Sequence, residues 1–240
     1  MGRYDRVIKF YALTVLKWQT VSITAVLAFN ALLSVLVPVF TSISDPHATI
    51  GSTDIVALVW VLAMGAILTP YGFRFLLYHG VSRRTQFIAV CLTLAAMAAA
   101  WALIVAAFIS ANLVFARTSV LYQLLYGRAD VLSTITWEFA AFLLLAFVGW
   151  FTYLVLRVTG RNARIALIAA PFVLGPILGM LNVATDGALL RAVGRGVVAA
   201  MGLSSSTPDP YLGALTMLTL ALAFSAAIRP ILLRVQVRES

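Results

Sequence analysis

Long apolar runs separated by short polar connectors dominate this chain. Six runs are long enough to cross a bilayer as helices, which takes about 20 apolar residues each. We therefore predict an all-α, polytopic membrane protein built as a single transmembrane domain over residues 1–240. The predicted spans cover residues 19–40, 54–73, 87–114, 135–156, 165–183 and 211–228.

The first 18 residues have a different pattern from the spans. A basic stripe follows one arc of a helical wheel, and aliphatic and aromatic residues cover most of the rest; the stripe consists of Arg3, Arg6, Lys9 and Lys17. This pattern predicts an amphipathic helix in the headgroup plane, where anionic lipid attracts it. The alternative is a simple extension of the first span. The apolar run that follows is longer than that of a signal peptide, which predicts a retained span.

Composition excludes a soluble protein, because 62% of the residues are apolar and only 10% are charged, against about 25% charged in a typical soluble domain. The net charge of +9 does not indicate nucleic-acid binding, since the basic residues lie in connectors and not on one soluble face. The single cysteine, Cys91, falls inside a predicted span and excludes a disulfide framework within the chain.

The distribution of basic residues predicts the topology. With a cytoplasmic N-terminus, 13 of the 17 lysines and arginines lie in cytoplasmic segments, and most acidic residues lie outside. Because lysine and arginine near the membrane favour the cytoplasmic side, we expect both termini in the cytoplasm.

No catalytic motif is recognisable in the sequence. The chain lacks a phosphate-binding loop, and its only lysines are Lys9 and Lys17. The two histidines, His47 and His79, fall on opposite sides of the membrane in the predicted topology, which disfavours a metal site within one chain. We therefore expect neither an enzyme nor a bound cofactor in this chain.

The middle of each predicted span is free of charge, which points to an energy source outside the chain. The nearest exception is Glu138, about one turn into the fourth span. For Glu138 we favour a residue hydrated by headgroup water over a relay or substrate site. Residues 188–201 are moderately apolar and leave a re-entrant and an interfacial helix both open.

Small and aromatic residues indicate close packing. Gly175 and Gly179 form a Gly-x-x-x-Gly pair, a pattern that lets helices approach closely; internal packing and a subunit interface both remain possible. The five tryptophans are mostly explained by interface belts or packing, with Trp60 and Trp101 the candidates for any substrate contact.

The connector after the second span combines charge with amphipathicity. Its apolar residues recur at helical spacing and its basic residues face away; the two sets are Phe73, Leu76, Leu77 and Val81, and Arg74, His79, Arg83 and Arg84. Gly80 is suited to ending such a helix, and Ser82 is suited to capping the next. From the residues alone, this segment is either a mechanical lever on the cytoplasmic surface or an ordinary basic connector.

Residues 76–87, Leu-Leu-Tyr-His-Gly-Val-Ser-Arg-Arg-Thr-Gln-Phe, resemble the segment after the second span in bacterial permease subunits of the type-2 ABC exporter family. The layout is also similar: an amphipathic N-terminal helix, six spans and a longer outer connector before the last span. The resemblance covers the whole chain as architecture but only about a dozen residues as motif.

This resemblance implies a permease in the bacterial plasma membrane that pairs with a second permease chain and with separate ATPase subunits. ATP and Mg²⁺ would bind in those partners. The 74–84 elbow would contact the ATPase through Arg74, His79, Gly80, Ser82, Arg83 and Arg84. The substrate stays open among drugs, peptides and lipid-like molecules. The alternative is a stand-alone secondary carrier or channel.

Overall fold

The computed structural model describes residues 57–68, 80–110, 130–159, 188–204 and 207–234, with shorter runs between 7 and 28, 122 and 127, and 162 and 185. The helices with defined bounds in this part of the chain are α1 (Ala57–Leu68), α2 (Arg83–Ser110), α3 (Val131–Val158), α4 (Ala188–Ala200) and α5 (Pro210–Arg234). By length and composition, α2, α3 and α5 are able to cross a membrane. They match the third, fourth and sixth predicted spans.

Two of these spans start earlier than predicted because polar residues cap them. Ser82 precedes α2, and Asp130 accepts a hydrogen bond from the backbone nitrogen of Ser133 at the start of α3. At its other end α5 continues through Pro230, as membrane helices tolerate when neighbouring groups satisfy the freed carbonyl. Most of the first and fifth predicted spans lies outside the described residues.

Helix α3 is the centre of the bundle and packs against α1, α2 and α5. Ring contacts give the directions of the helices. Phe87 stacks on Trp150 at 5.7 Å between ring centroids, and Trp101 lies 6.4 Å from Phe142, so α2 and α3 are antiparallel. Phe151 contacts Phe224 at 5.3 Å, while earlier residues of α3 and α5 share a second apolar cluster, so α3 and α5 are parallel.

These directions separate the charges of the bundle. Arg83 and Arg84 begin α2 at the same end where Arg157 closes α3 and Arg229 lies near the close of α5. At the other end, Asp130 and Asp209 precede α3 and α5. We call these the basic end and the acidic end. This separation is what the positive-inside pattern predicts for the three spans.

Helices α1 and α3 touch through their backbones. A Cβ atom on Gly65 would overlap the carbonyl oxygen of Ala146, and one on Gly149 would overlap the carbonyl oxygen of Leu62. The two glycines thus face the opposite helix reciprocally, the close approach that small residues permit in membranes.

The described residues near the N-terminus are helical without a break from 13 to 21, across the predicted boundary at residue 18. Val7, Tyr11 and Val15, one turn apart, are buried in the main apolar cluster of the bundle, whereas Leu16 and Trp18 are exposed. This continuity favours the alternative in which the segment extends the first span. A separate interfacial helix stays a prediction.

A hydrogen-bonded junction closes the acidic end. The Tyr126 hydroxyl donates to the carbonyl oxygen of Met201 at 2.7 Å, just after α4. Gly213 of α5 makes room for that hydroxyl, since a Cβ atom there would overlap it. Burial raises the pKa of the Tyr126 phenol above its ordinary value. Gly202, at φ +72°, and Asp209 close the loop between α4 and α5.

We expect Tyr126→Phe to lower the free energy of unfolding by about 1 kcal/mol, because one partly buried hydrogen bond is lost. Gly213→Ala should cost more in the wild-type background than with Tyr126→Phe, where the overlapping hydroxyl is gone. Thermal unfolding of the four proteins in detergent measures this cycle. Equal costs for Gly213→Ala in both backgrounds would contradict the junction.

Candidate coupling surface at the basic end

A tight turn leads into α2. Gly80 is exposed and has φ 68°, a left-handed conformation that glycine adopts without steric cost. Ser82 then caps the helix: its hydroxyl accepts from the backbone nitrogen of Thr85 at 3.2 Å, and its carbonyl accepts from that of Gln86 at 3.0 Å. The predicted cap at Ser82 is confirmed. The helix that Gly80 is predicted to end lies outside the described residues.

The turn is fixed to the bundle through Val81. This side chain is 6% exposed and belongs to the main apolar cluster. Gln86, 1% exposed, reaches back so that its amide nitrogen lies 3.4 Å from the Val81 carbonyl oxygen. Movement of the turn must therefore move the start of α2. The sequence pattern did not single out Gln86, although a polar residue one turn inside a span is a usable signal.

The two arginines of the first turn remain accessible beside this anchor. Arg84 is exposed and Arg83 is half-buried. The first turn of α2 holds no acidic residue, although the helix dipole favours negative charge there. An anionic group near this first turn would suit the helix dipole.

A third arginine, at the end of α3, extends the positive surface. Arg157 donates to the Tyr153 hydroxyl at 2.8 Å, and the backbone nitrogen of Thr159 bonds to the Val155 carbonyl to close the helix. A cation in a last turn agrees with the helix dipole. Arg83, Arg84 and Arg157 all lie at the basic end, and we call them the candidate coupling surface.

We expect Ser82→Ala to reduce stability by about 1 kcal/mol, the usual effect of losing an N-cap acceptor. Ser82→Asp is the matched control, because its carboxylate accepts the same hydrogen bond. Thermal unfolding in detergent should show a lower midpoint for the alanine variant and a near wild-type midpoint for the aspartate variant. The cap would be refuted by equal midpoints for Ser82→Ala and wild type.

Other predicted site residues lie outside the described part of the chain. These are Arg74 and His79 of the elbow and the Gly175 and Gly179 pair. The amphipathic helix predicted before Gly80 falls there too. Gly65 and Gly149, which the structure brings together, were missed because their partners lie in different spans.

Glu138 is buried, contrary to the expectation from the sequence. The expectation of a side chain hydrated by headgroup water is wrong, because Glu138 is only 1% exposed within the bundle. Centring the 28 residues of α3 on a hydrocarbon layer of about 30 Å places Glu138 about 5 Å inside it. Thr134, one turn away, is fully buried as well. A carboxyl group at this depth is a candidate ion or substrate site.

The tryptophans are mainly packing residues. Trp101, Trp137 and Trp150 are nearly inaccessible, and Trp60 is partly buried against the main cluster. The indole nitrogens of Trp60 and Trp101 are buried with no acceptor among the described residues.

Neither a protein-family model, nor a curated protein, nor a solved structure matches this chain. Within the described residues, no group of three or more histidine, cysteine, aspartate or glutamate side chains is arranged to hold a metal ion.

Proposed function

We propose that the chain is the permease subunit of an ATP-binding-cassette exporter in the bacterial plasma membrane, with both termini cytoplasmic. The observation that carries this proposal is the anchored turn before α2, which presents two arginines at the basic end. It adds to the resemblance of residues 76–87 to type-2 ABC exporter permeases. Six spans and a second permease chain are part of this proposal.

The packing of α2 would let the turn transmit force to the rest of the bundle. A force on Arg83 and Arg84 would act on Val81, which is packed in the core, and on α2 as a whole. From α2 it would pass to α3 through the Phe87–Trp150 stack and from α3 to α5 through the Phe151–Phe224 contact. Close-packed helices transmit displacement because their interiors have few voids.

The partner implied by this surface is an ATPase subunit with an acidic groove. ATP and Mg²⁺ would bind there, and closure of the ATPase dimer would displace the turn. The permease would contribute half of the translocation path, with its substrate among drugs, peptides or lipid-like molecules.

Copurification tests the proposal. The tagged chain, expressed in its own host and extracted in mild detergent with native lipid, should retain an ATPase whose hydrolysis rate rises in the complex. A permease preparation that never retains an ATPase, while giving ATP-independent flux in proteoliposomes, would overturn the proposal.

The burial of Glu138 favours a second candidate, a stand-alone secondary carrier. The absence of charge in the spans was one reason to expect an external energy source, and a buried carboxyl group on α3 weakens that reason. A carrier would show ion-gradient-driven flux without ATP, and Glu138→Gln would abolish it. An exporter would keep ATP-dependent flux as its main activity.

A further inference from the structure

Helix α4 stands apart from the rest of the bundle. All its described side chains from Arg191 to Ala200 are exposed, including Val193 at 58% and Val197 at 57%. A Cβ atom at Gly194 or Gly196 would meet no other atom within 4 Å. The body of the helix therefore touches little of the protein described here.

Its side chains divide into two opposite strips. Val193 and Val197 lie one turn apart, and so do Arg191 and Arg195. At 100° per residue the valine and arginine strips are about 160° apart around the axis. A short, strongly amphipathic helix with arginines on its polar face is typical of helices that lie in the membrane interface.

The length and composition of α4 indicate that it needs an apolar surface to remain helical. An isolated helix of 13 residues is marginal in water, and each interior glycine lowers its stability further. The valines face no described protein group that could supply that surface. A bilayer would bury them.

The C-terminal end of α4 is held at a depth suited to this role. Thr216 donates to the Ala200 carbonyl at 2.6 Å, next to the Tyr126–Met201 bond. Thr216 lies six residues into α5, about 9 Å along its axis. Centring the 23-residue candidate span Pro210–Leu232 of α5 on a layer of about 30 Å puts this bond about 7 Å inside the boundary. Interfacial helices bury their apolar faces by about 5–10 Å.

We propose that α4 lies on the bilayer at the acidic end of the bundle, with Val193 and Val197 among acyl chains and Arg191 and Arg195 on the phosphates of anionic phospholipids. The guanidinium group matches phosphate in charge and in bidentate geometry. The depth of α4, its amphipathic pattern and its positive charge all favour a lipid surface as its partner. The proposal holds for either function above.

Site-specific fluorescence on the full-length chain tests this. In a Cys91→Ser background, an environment-sensitive fluorophore is placed at Val197→Cys and, as a matched control on the opposite strip, at Val198→Cys. The protein is reconstituted into nanodiscs of phosphatidylcholine with or without phosphatidylglycerol, with brominated acyl chains as quencher. We expect strong quenching of the fluorophore at position 197 and weak quenching at position 198. Phosphatidylglycerol should increase the quenching at position 197.

The arginine pair is tested in the same assay. The double variant Arg191→Glu with Arg195→Glu should abolish the effect of phosphatidylglycerol on quenching. The double variant Arg191→Lys with Arg195→Lys should keep most of that effect. Each arginine near an anionic surface contributes about 1 kcal/mol, so the pair accounts for about a thirtyfold change in surface association. Equal weak quenching at both positions would overturn the proposal. So would disulfide cross-linking between Val197→Cys copies, which would show that a second chain covers the face.

Discussion

Replacing Gly149 by alanine is expected to force α1 and α3 apart and to destabilise the bundle by at least about 2 kcal/mol. The added methyl group would overlap the Leu62 carbonyl oxygen, which is backbone and cannot rotate away as a side chain would. Gly65→Ala should act in the same way through the Ala146 carbonyl oxygen. Loss of the folded peak in detergent size-exclusion chromatography, and a lower thermal midpoint, measure the effect.

Gly194→Ala and Gly196→Ala are the matched controls, since an added methyl group at either position meets open space. Alanine favours a helix over glycine by up to about 1 kcal/mol, so these variants should be neutral or slightly more stable. The double variant Gly65→Ala with Gly149→Ala should cost less than the sum of the single changes, because the first separation relieves the second overlap. A thermal midpoint for Gly149→Ala equal to those of the controls would refute the close backbone contact between α1 and α3.

The three long helices were predictable because apolar length is a local property of the sequence. Their earlier starts were accessible from the same information: Ser82 and Asp130 are standard N-cap residues next to the runs that they begin. Ser82 is a predicted cap, whereas no cap is predicted at Asp130. Pro230 would have argued for an earlier end to α5, and only the environment of a span explains why the helix continues.

Lateral packing was not predictable because it depends on pairs of residues that are distant in the sequence. The Gly-x-x-x-Gly spacing drew attention to Gly175 and Gly179, but the contact that the structure describes joins single glycines on two helices. The burial of Glu138 was not predictable for the same reason. Its position in the sequence gives its approximate depth, but exposure depends on whether it faces lipid headgroups or the neighbouring helices.

The candidate site was partly predictable. Glycine at the turn, serine at the cap and the arginine pair follow from local rules of helix ends and topology. The anchoring of the turn through Val81 and Gln86 does not, because it requires the burial of both side chains against other helices. This anchoring supports the proposed lever over an ordinary basic connector.

Under the proposed function, reversing the charge of Arg83 and Arg84 with two glutamates is expected to uncouple this chain from an ATPase partner without unfolding it. A lost charge-assisted contact at an interface costs about 2–5 kcal/mol, so affinity for the ATPase should fall at least about thirtyfold. Stability should be unchanged or slightly raised, since acidic residues suit the first turn of α2, which now holds none. ATPase stimulation, ATP-dependent flux and the thermal midpoint are measured on the same preparation.

Two further variants separate charge from shape at this surface. The lysine pair keeps the positive charge but loses bidentate geometry, and we expect partial coupling. The glutamine pair removes charge without reversing it, and we expect an intermediate loss. Acidic positions in the ATPase groove, replaced by lysine, should restore affinity to the glutamate variant if the contact is direct. If the glutamate variant showed wild-type ATPase stimulation and flux, the proposed coupling role of this turn would be refuted. The buried Glu138 of α3 would then be the stronger indication of function.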